Sequence, residues 1–574
     1  MRLIAILALI LSTTAAQAQT QADPEAATGL TVRPAVEAQE HMIVAAHPLA
    51  SKAGGDMLAR GGSAADAAIA ALLVLNVVEP QSSGIGGGAF ALVHGPDGLT
   101  SWDARETAPD KAAPDMFMEG GAPLPFLEAV ASGRSVGVPG LVRLMEVLHA
   151  RHGKLPWEDL FAPAIDYAEH GFAVTPRLAA SVARFAGRLE GTDAAEVFLP
   201  GGKPLQDGQV FCQPNLAATL QHIADNRADA FYSGDVPREI LAALARGPRP
   251  SAMTEEDFLT YTVIERPPVC HPFAALRICG MGPPSSGATT VGQILMLMTE
   301  FERADVAEGQ AGLWHLFAEA SRLAYADRAK YLGDSDFVKV PVKGLLDPAY
   351  IASRAALIDP RKASAGKAEA GEPPWREGRL YAPDQSQTRP GTTHLSVIDR
   401  DGLAISLTAS IETAFGSGRM AGGVLLNNQL TDFSFRPEDA EGTPIANAVA
   451  PGKRPRSSMS PTIFYEGDRI AGLTGSPGGS RIPEYVAKHI VSLWFSTGPD
   501  EAAVMAMPHV SHRNRGAITL EPGMAAEVVE ALRALGHSVE EAPMTSGLHT
   551  IIARPDGTLV GLVDPRREGQ AIGR

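Results

Sequence analysis

The chain is organised around one short stretch, Pro390-Gly391-Thr392-Thr393-His394-Leu395-Ser396-Val397-Ile398-Asp399. Residues 371–390 precede it, and their proline, glycine and charge are typical of an exposed loop. The residues that follow Thr392 alternate as in a strand. If the Gly391–Thr392 bond were cut, Thr392 would become a new N-terminus that carries a nucleophilic hydroxyl and a basic amine. The stretch therefore predicts self-cleavage at this bond.

A second strand is predicted directly after the first. Asp401-Gly402 is a turn signal, and the apolar run that follows it ends at Ser410. A two-residue turn would pair Thr393 with Ser410, whereas a turn one residue longer would place Ser410 opposite Thr392. Both registers bring a second hydroxyl close to Thr392. The alternative is an ordinary hairpin whose hydroxyls merely pair across the strands.

The composition is that of a globular protein. The 574 residues suffice for two to four average domains or for one large layered domain. Apolar residues make up 45% of the chain and charged residues 20%, which is ordinary for a folded protein. The net charge of −16 argues against nucleic acid as a partner, because no basic face is evident.

Residues 1–18 have the pattern of a secretory signal peptide. Arg2 supplies the positive charge, residues 3–11 form the apolar run, and Ala16-Gln17-Ala18 is a cleavage motif. The run is too short to span a bilayer. We therefore expect export to a periplasm, with no membrane span after signal removal. A retained membrane anchor is the alternative.

Cysteines and histidines give little sign of a metal. Cys270 and Cys279 flank a predicted hairpin, and they form either a disulfide or two buried thiols. Cys212 is expected to be buried. No cysteine or histidine cluster has zinc spacing, so no metal site is predicted. The pattern G-x-G-x-x-A at 84–89 lies between a helix and a strand, the reverse of a dinucleotide loop, so no cofactor is predicted either.

Helices dominate the region before Thr392 and strands the region after it. Ser63 is a good helix N-cap. Residues 371–390, just before Thr392, are the one stretch whose composition strongly indicates a linker. The sequence predicts strands over 89–94 and 99–103 and helices over 49–60, 64–77, 141–152, 157–170, 176–188, 213–225, 237–245, 255–260, 290–301, 312–328 and 484–494.

Several polar residues could bind a small zwitterionic molecule. Arg105 follows a predicted strand and could hold a carboxylate in a bidentate way, although a surface salt bridge is the alternative. Gln429 and Asp432 could hold an ammonium group, or they could belong to a plain turn. Ser457 and Ser458, close to basic residues, suit a carboxylate, and a solvated loop is their alternative.

Gly478 and Gly479 come just before the predicted helix at 484–494. Backbone N–H groups at such a position can bind an anion. In an enzyme that cleaves amides they would stabilise the oxyanion of a tetrahedral intermediate. The alternative is a flexible loop of glycine and proline.

Taken in this order, the motifs resemble the γ-glutamyltransferase (glutathione hydrolase) family of the N-terminal nucleophile superfamily. The resemblance extends over essentially the whole chain after residue 18. The matching residues are Gly86-Gly87-Gly88, Arg105-Glu106-x-Ala108-Pro109, Pro283-Pro284-Ser285-Ser286-Gly287, Tyr325-Ala326-Asp327-Arg328, Gly391-Thr392-Thr393-His394, Phe415-Gly416, Leu425-Leu426-Asn427-Asn428-Gln429, Asp432-Phe433-Ser434, Lys453-Arg454-Pro455, Ser457-Ser458-Met459-Ser460-Pro461-Thr462 and Gly475-Ser476-Pro477-Gly478-Gly479-Ser480-Arg481.

The resemblance implies an α+β fold, the four-layer αββα sandwich of the N-terminal nucleophile hydrolases. It implies a precursor that cuts itself between Gly391 and Thr392. The large subunit, 19–391, and the small subunit, 392–574, would then stay together as a heterodimer. Thr392 would be the nucleophile, with its own amine as the base.

The resemblance also implies the substrate, a γ-glutamyl compound such as glutathione, cleaved through an ester on Thr392 and passed to water or an amino acceptor. The implied contacts are Arg105, Ser457 and Ser458 to the α-carboxylate, Gln429 and Asp432 to the α-amino group, Gly478 and Gly479 to the oxyanion, and Ser410 to the Thr392 hydroxyl.

The sequence departs from the family pattern at two places. Glu412 stands where typical members carry an asparagine near the substrate amino group. Residues 435–449, which correspond to the family's lid loop, are shortened and lack the aromatic residue that often covers the substrate. These differences favour hydrolysis over transfer. They also leave a second hypothesis open, a cephalosporin acylase-like amidase. A third hypothesis is a periplasmic solute-binding protein, which would not cut itself.

Overall fold

The structure is a computed structural model that describes residues 29–301, 309–374, 380–386, 391–495 and 500–574. The predicted signal segment, residues 1–18, lies outside these ranges, as do Pro390 and part of the predicted linker. None of the helices within the described ranges combines the length and apolar character needed to cross a membrane.

The first sheet, called sheet I, contains the strand that begins at Thr392. Neighbouring strands in this sheet all run antiparallel. Thr392–Ile398 lies between strands that come from distant parts of the chain. The order across sheet I is Gln570–Gly573, Met42–Ala45, Thr392–Ile398, Ala404–Ser410, Gly88–Gly95, Gly98–Ala104 and Ile264–Arg266.

The second sheet, sheet II, is also antiparallel. Like sheet I, it combines strands from before and after Thr392. The order across it is Val36–Ala38, Leu559–Val563, His549–Ala553, Arg469–Thr474, Thr462–Glu466, Leu276–Gly280 and Val269–Phe273.

A layer of helices covers the outer face of each sheet. The cluster beside sheet I contains Leu395, Val397 and the buried helix Ala64–Val78. The helices on this side are Pro48–Ala59, Ala64–Val78, Leu141–His152, Trp157–His170, Pro176–Leu189, Asp193–Phe198, Pro214–Asn226, Asp229–Tyr232, Asp235–Leu244 and Glu255–Leu259, with Phe126–Val130 in a satellite cluster.

The other helical layer packs on sheet II through residues such as Ile278 and Phe464. The resulting αββα order confirms the expected α+β fold. The helices on this side are Gly287–Thr299, Gly309–Tyr331, Val342–Leu345, Pro348–Ala355, Ile482–Phe495, Glu501–Ala506 and Ala526–Ala534.

Short elements complete the described ranges. Small antiparallel pairs are Met118–Glu119 with Ala122–Pro123, Phe172–Ala173 with Val210–Phe211, and Met420–Ala421 with Val424–Leu425, and a third sheet joins Val510–Ser511, Ile518–Leu520 and Val539–Glu541. The 3₁₀ turns are Gly133–Ser135, Pro200–Gly202, Gln429–Asp432 and Gly479–Arg481.

Side-chain alternation explains why Thr392 faces the space between the sheets. Leu395 and Val397 pack against the helices of the sheet I layer. Ser396 points the opposite way and donates a hydrogen bond to the carbonyl of His549 in sheet II at 2.8 Å. Since alternate residues of a strand share a face, Thr392 lies on the same side as Ser396, at the end of the intersheet layer.

The predicted helices are all present, with ends shifted by at most three residues. Ser63 caps Ala64–Val78 in a capping box with Asp66, as its position predicted. Beyond Thr392 strands and loops alternate and the predicted helix is present as Ile482–Phe495, but two further helices that were not predicted, Glu501–Ala506 and Ala526–Ala534, follow it.

For the cysteines, the structure decides one open alternative and corrects one prediction. Cys270 and Cys279 lie opposite each other in the edge hairpin of sheet II and form a disulfide. The prediction that Cys212 is buried was wrong, because its side chain is exposed. Cys212 follows the short strand Val210–Phe211, in which Phe211 is buried, so the pleat turns Cys212 outward.

Candidate active site

The predicted nucleophile and its neighbour lie at the end of the sheet I hairpin. Thr392 is paired directly with Ser410, which is the second of the two registers left open by the sequence. The Thr392 hydroxyl donates to the Ser410 Oγ at 3.4 Å. Ser410 in turn donates to the carbonyl oxygen of Gly391 at 2.7 Å, and the backbone N–H of Glu412 donates to Ser410 at 2.8 Å. Ser410 is thus held between both sides of the predicted scissile bond.

Gly391 lies in a space that fits no side chain. A Cβ atom added to it would lie 2.3 Å from the carbonyl oxygen of Glu412 and 2.6 Å from the carbonyl carbon of Thr413. Real Cβ atoms do not approach backbone atoms this closely. The glycine therefore lets the predicted cleavage bond lie against the loop that follows Ser410.

One pocket gathers almost all the residues that the sequence singled out. Gly478 is not in its lining, but it is adjacent to Gly479, which is. The lining residues are Arg105, Thr392, Ser410, Glu412, Gln429, Asp432, Ser457, Ser458, Met459, Gly479 and Ile482.

Arg105 is buried at the floor of this pocket, directly after the strand Gly98–Ala104. Its guanidinium forms an ion pair with Asp432 and donates to the carbonyl of Pro455 at 3.1 Å. The surface salt bridge offered as an alternative for Arg105 does not occur. A buried cation of this kind can bind a carboxylate strongly, because water does not screen it.

Gln429 and Asp432 lie on one 3₁₀ turn, Gln429–Asp432. Gln429 donates its amide to Asp432 Oδ2 at 2.9 Å. The amide oxygen of Gln429, Oε1, and the second carboxylate oxygen of Asp432, Oδ1, are buried and have no hydrogen-bond partner among the described residues. Buried acceptors are costly to leave without a donor. An ammonium group in the pocket would satisfy both.

Glu412 has an unusual backbone. Its φ is 78°, a conformation that costs energy for a residue other than glycine. Its carboxylate accepts a hydrogen bond from the side chain of Asn428 at 2.8 Å. Asn428 also accepts from the backbone N–H of Thr413 at 3.0 Å, which fixes the loop. The left-handed turn thus holds an acidic side chain at the pocket wall.

Ser457 and Ser458 are buried rather than solvated, which excludes the alternative of an exposed loop. Arg328, from the helix Gly309–Tyr331, donates to Ser458 Oγ at 2.6 Å and to Ser286 Oγ at 2.8 Å. Burial lowers the pKa of Arg328 to about 9. The hydroxyl of Ser458 therefore lies beside a guanidinium group, which suits a carboxylate.

Gly478 and Gly479 both have positive φ angles, 133° and 58°. A Cβ on Gly478 would lie 2.4 Å from the ring of Tyr485. The 3₁₀ turn Gly479–Arg481 leads straight into the helix Ile482–Phe495. N–H groups at such a helix start lack partners within the helix and can bind an anion.

Two charged groups beside this site were not predicted from the sequence. Burial raises the pKa of Glu106 to about 7, and both of its carboxylate oxygens lack a hydrogen-bond partner among the described residues. The guanidinium of Arg567 donates to the carbonyl oxygen of Thr392 at 3.4 Å. Glu106 belongs to a quoted motif and could have been considered. Arg567 comes from the far end of the chain, and no local pattern indicates it.

The chain matches the sequence model of the family described as Gamma-glutamyltranspeptidase over residues 50–574. It is 37% identical over 549 residues to a glutathione hydrolase proenzyme of Bacillus subtilis, covering 93% of this chain and 92% of that protein. It is 35% identical over 542 residues to an acylase ACY 1 proenzyme of Pseudomonas sp. strain SE83, with coverage of 92% and 93%.

A solved structure is also similar, that of cephalosporin acylase from Bacillus halodurans. The TM-score is 0.84 and the identity 28%, with 96% of this chain and 99% of that chain covered. These matches extend over nearly the full length of the relatives, and the αββα layers agree with them. The chain belongs to the γ-glutamyltranspeptidase family of N-terminal nucleophile hydrolases.

Proposed function

We propose that this protein is a self-processing periplasmic γ-glutamyl hydrolase or transferase that acts on glutathione and related compounds. One observation carries the proposal. The Thr392 hydroxyl lines the same pocket as a buried arginine, Arg105, and a pair of unsatisfied acceptors on Gln429 and Asp432. A γ-glutamyl group has the matching α-carboxylate and α-ammonium.

In the proposed self-cleavage, the Thr392 hydroxyl attacks the carbonyl carbon of Gly391. Its proton passes to Ser410, whose own proton passes to the Gly391 oxygen along the 2.7 Å hydrogen bond. The intermediate collapses, the C–N bond breaks, and the proton moves to the nitrogen, which becomes the amine of Thr392. Water then hydrolyses the resulting ester to the Gly391 carboxylate and the Thr392 hydroxyl.

In the proposed turnover, the new amine of Thr392 takes the proton of its own hydroxyl. An α-amine has an ordinary pKa of about 7.7–8.0, so part of it is neutral near pH 7. The hydroxyl oxygen attacks the γ-carbonyl, and the N–H groups of Gly478 and Gly479 stabilise the oxyanion. The leaving amine takes this proton from the Thr392 amine. The acyl group, now an ester on Thr392, is then transferred to water or to an amino acceptor.

Export to a periplasm is proposed from two features. Residues 1–18 have the signal pattern, and the Cys270–Cys279 disulfide is of the kind that persists in oxidising compartments. Proenzyme names among the relatives support a precursor that yields two subunits.

Substrate choice is tested with two chromogenic anilides, one γ-glutamyl and one glutaryl, which differ in the α-amino group. We expect the wild type to prefer the γ-glutamyl anilide in kcat/KM. Asp432→Asn removes a charge that would bind the ammonium, so the preference should fall roughly 10- to 100-fold. Asp207→Asn, at an exposed position, is the matched control and should leave it unchanged.

The second candidate function is that of a same-fold acylase acting on an acyl amide without the γ-glutamyl amino group. The full-length similarity to an acylase proenzyme and to a cephalosporin acylase favours it. Equal kcat/KM values for the two anilides, in the wild type and in Asp432→Asn, would support the acylase and contradict the γ-glutamyl proposal.

A further inference from the structure

A cluster of side chains with potential metal ligands lies apart from the residues that line the pocket of Thr392. His315, Glu319 and His537 each direct one ligand atom into a common region, and these atoms lie within 4.8 Å of one another. All three residues are buried. His315 and His537 are 222 positions apart in sequence, yet the Nδ1 atom of His315 lies 2.7 Å from the Nε2 atom of His537.

Local structure explains how the cluster forms. His315 and Glu319 lie four residues apart on the helix Gly309–Tyr331, so they share one face. This is the spacing of two ligands on one helix in known helical metal sites. His537 follows the helix Ala526–Ala534, where Gly536 turns the chain with a φ of 99°.

The orientation of His315 is already set as in a metal site. Its Nε2 lies 2.8 Å from the carbonyl oxygen of Asp359, and a carbonyl can only accept, so the proton is on Nε2. The lone pair of Nδ1 therefore points into the cluster. Metal-binding histidines usually donate their second nitrogen to a carbonyl or carboxylate in this way.

Glu319 keeps capacity for a further contact. Its Oε2 accepts from both Nε and Nη2 of Arg322, at 3.1 and 2.9 Å, whereas its Oε1 accepts from the backbone N–H of Ser364 at 3.1 Å and has a second lone pair. A fourth candidate group is near, because His512 interacts electrostatically with Glu319 and His537. The Nδ1 of His512 is buried without a hydrogen-bond partner among the described residues.

We propose that His315, Glu319 and His537 bind one divalent transition metal ion, of which Zn²⁺ is the best match to a set of two imidazoles and a carboxylate. Bonds of 2.0–2.1 Å place two ligand nitrogens of a tetrahedral ion about 3.3 Å apart, so the two rings must separate by about 0.6 Å. The proton that lies between them must also move from the Nε2 to the Nδ1 of His537. Because Arg322 already neutralises Glu319, the affinity is expected to be lower than in closed four-ligand sites.

The bound ion would join two parts of the molecule. His315 and Glu319 precede residue 391, whereas His537 follows residue 392. If the chain is cut as proposed above, the ion connects the large and small subunits. Binding itself does not depend on that cut, and the two can be tested separately.

The test uses the full-length protein without an affinity tag, stripped with EDTA and dialysed. Zn²⁺ binding is measured by competition with a chromogenic chelator, and Co²⁺ binding by its visible absorption bands. We expect one ion per chain, a higher Tm with Zn²⁺, and tetrahedral Co²⁺ bands. In His537→Gln the affinity should fall by roughly 100-fold or more, beyond the loss usual for an outer contact.

Glutamine can still donate an N–H to His315, so the variant should fold, which its circular dichroism checks. The matched control is His222→Gln, at an exposed histidine of the helix Pro214–Asn226, and it should bind like the wild type. No Zn²⁺ binding by the folded wild type would overturn the proposal, and so would equal binding by the wild type and His537→Gln.

Discussion

Ser410 contacts both partners of the proposed self-cleavage. It accepts from the hydroxyl of Thr392 and donates to the carbonyl oxygen of Gly391. Ser410→Ala removes the donor from the carbonyl that would be attacked, and the loss of one such donor costs about 10²–10³ in rate. We therefore expect cutting of the precursor to slow by roughly that factor, measured by gel densitometry over time.

Ser406 supplies the control for this prediction, because it lies on the same strand and the same face. Its hydroxyl donates to the carbonyl of Thr474 at 3.0 Å, away from the scissile bond. Ser406→Ala should cut at a rate close to that of the wild type. Equal slowing in both variants would mean that the effect is a general loss of hydrogen bonds.

Gly391 is predicted to be intolerant of any side chain. Gly391→Ala places a Cβ 2.3 Å from the carbonyl oxygen of Glu412, so the scissile bond must move. We expect slower cutting and a free energy of unfolding lowered by about 1–3 kcal/mol, as in other overpacked sites. Gly187→Ala, in the helix Pro176–Leu189 with open space around it, should cut normally. Normal cutting of Gly391→Ala would contradict the close approach.

At the residue scale, the sequence indicated the residues that line the pocket but not all of the residues that contact them. Thr392, Arg105 and the Gly478-Gly479 pair belong to local motifs, so their positions on strands and turns could be predicted. Arg567, which contacts Thr392, lies 175 positions away. Contacts across such distances depend on how the layers pack, and a single sequence carries no local sign of them.

Among the elements, the edge hairpin of sheet II carries the disulfide. Cys270 and Cys279 enclose a short loop, and the loss of such a bond is expected to lower the free energy of unfolding by roughly 2–3 kcal/mol. The variant Cys270→Ala/Cys279→Ala tests this by denaturant unfolding. Cys212→Ala removes the exposed thiol and should leave stability unchanged. Equal stability of the double variant and the wild type would contradict the prediction.

The ends of helices were predicted best where glycine or proline residues flank the helix. Leu141–His152 and Trp157–His170 have the predicted bounds, since glycine or proline flanks each helix. The register of the Thr392 hairpin could not be chosen from the turn residues alone. The structure settles it because Ala404–Ser410 also pairs with Gly88–Gly95, which leaves no freedom to slide.

At the scale of the whole molecule, buried histidines should make stability sensitive to acid. Burial lowers the pKa of His47 and His271 to about 4 and of His489 and His549 to about 3. It also lowers the pKa of His394 and His509 well below the ordinary value. These six rings stay neutral in the folded protein and take up protons once unfolded, at a pKa near 6.5.

Stability is therefore full above pH 6.5 and falls as the pH drops through the range between the two pKa values. Each ring contributes up to about 1.4 kcal/mol per pH unit. Glu106, with its pKa raised to about 7, opposes one of these contributions. Unfolding free energies between pH 7 and 5 measure the slope.

A single substitution isolates one of these contributions. His271→Asn removes a buried titrating ring, so the slope should fall by about one proton, whereas His222→Gln, at an exposed ring, should keep it. A free energy of unfolding that does not change between pH 6.5 and 5 would contradict the account.

In the proposed processing, Thr392 becomes a new N-terminus through the attack of its own hydroxyl on the preceding bond. The most direct test is N-terminal sequencing and intact mass measurement of the purified protein and of two variants, Thr392→Ala and Thr392→Ser. We predict a small chain that begins at Thr392 in the wild type, slower cutting at the same bond in Thr392→Ser, and one uncut chain in Thr392→Ala. Cutting at a different bond, or cutting that persists in Thr392→Ala, would contradict the claim.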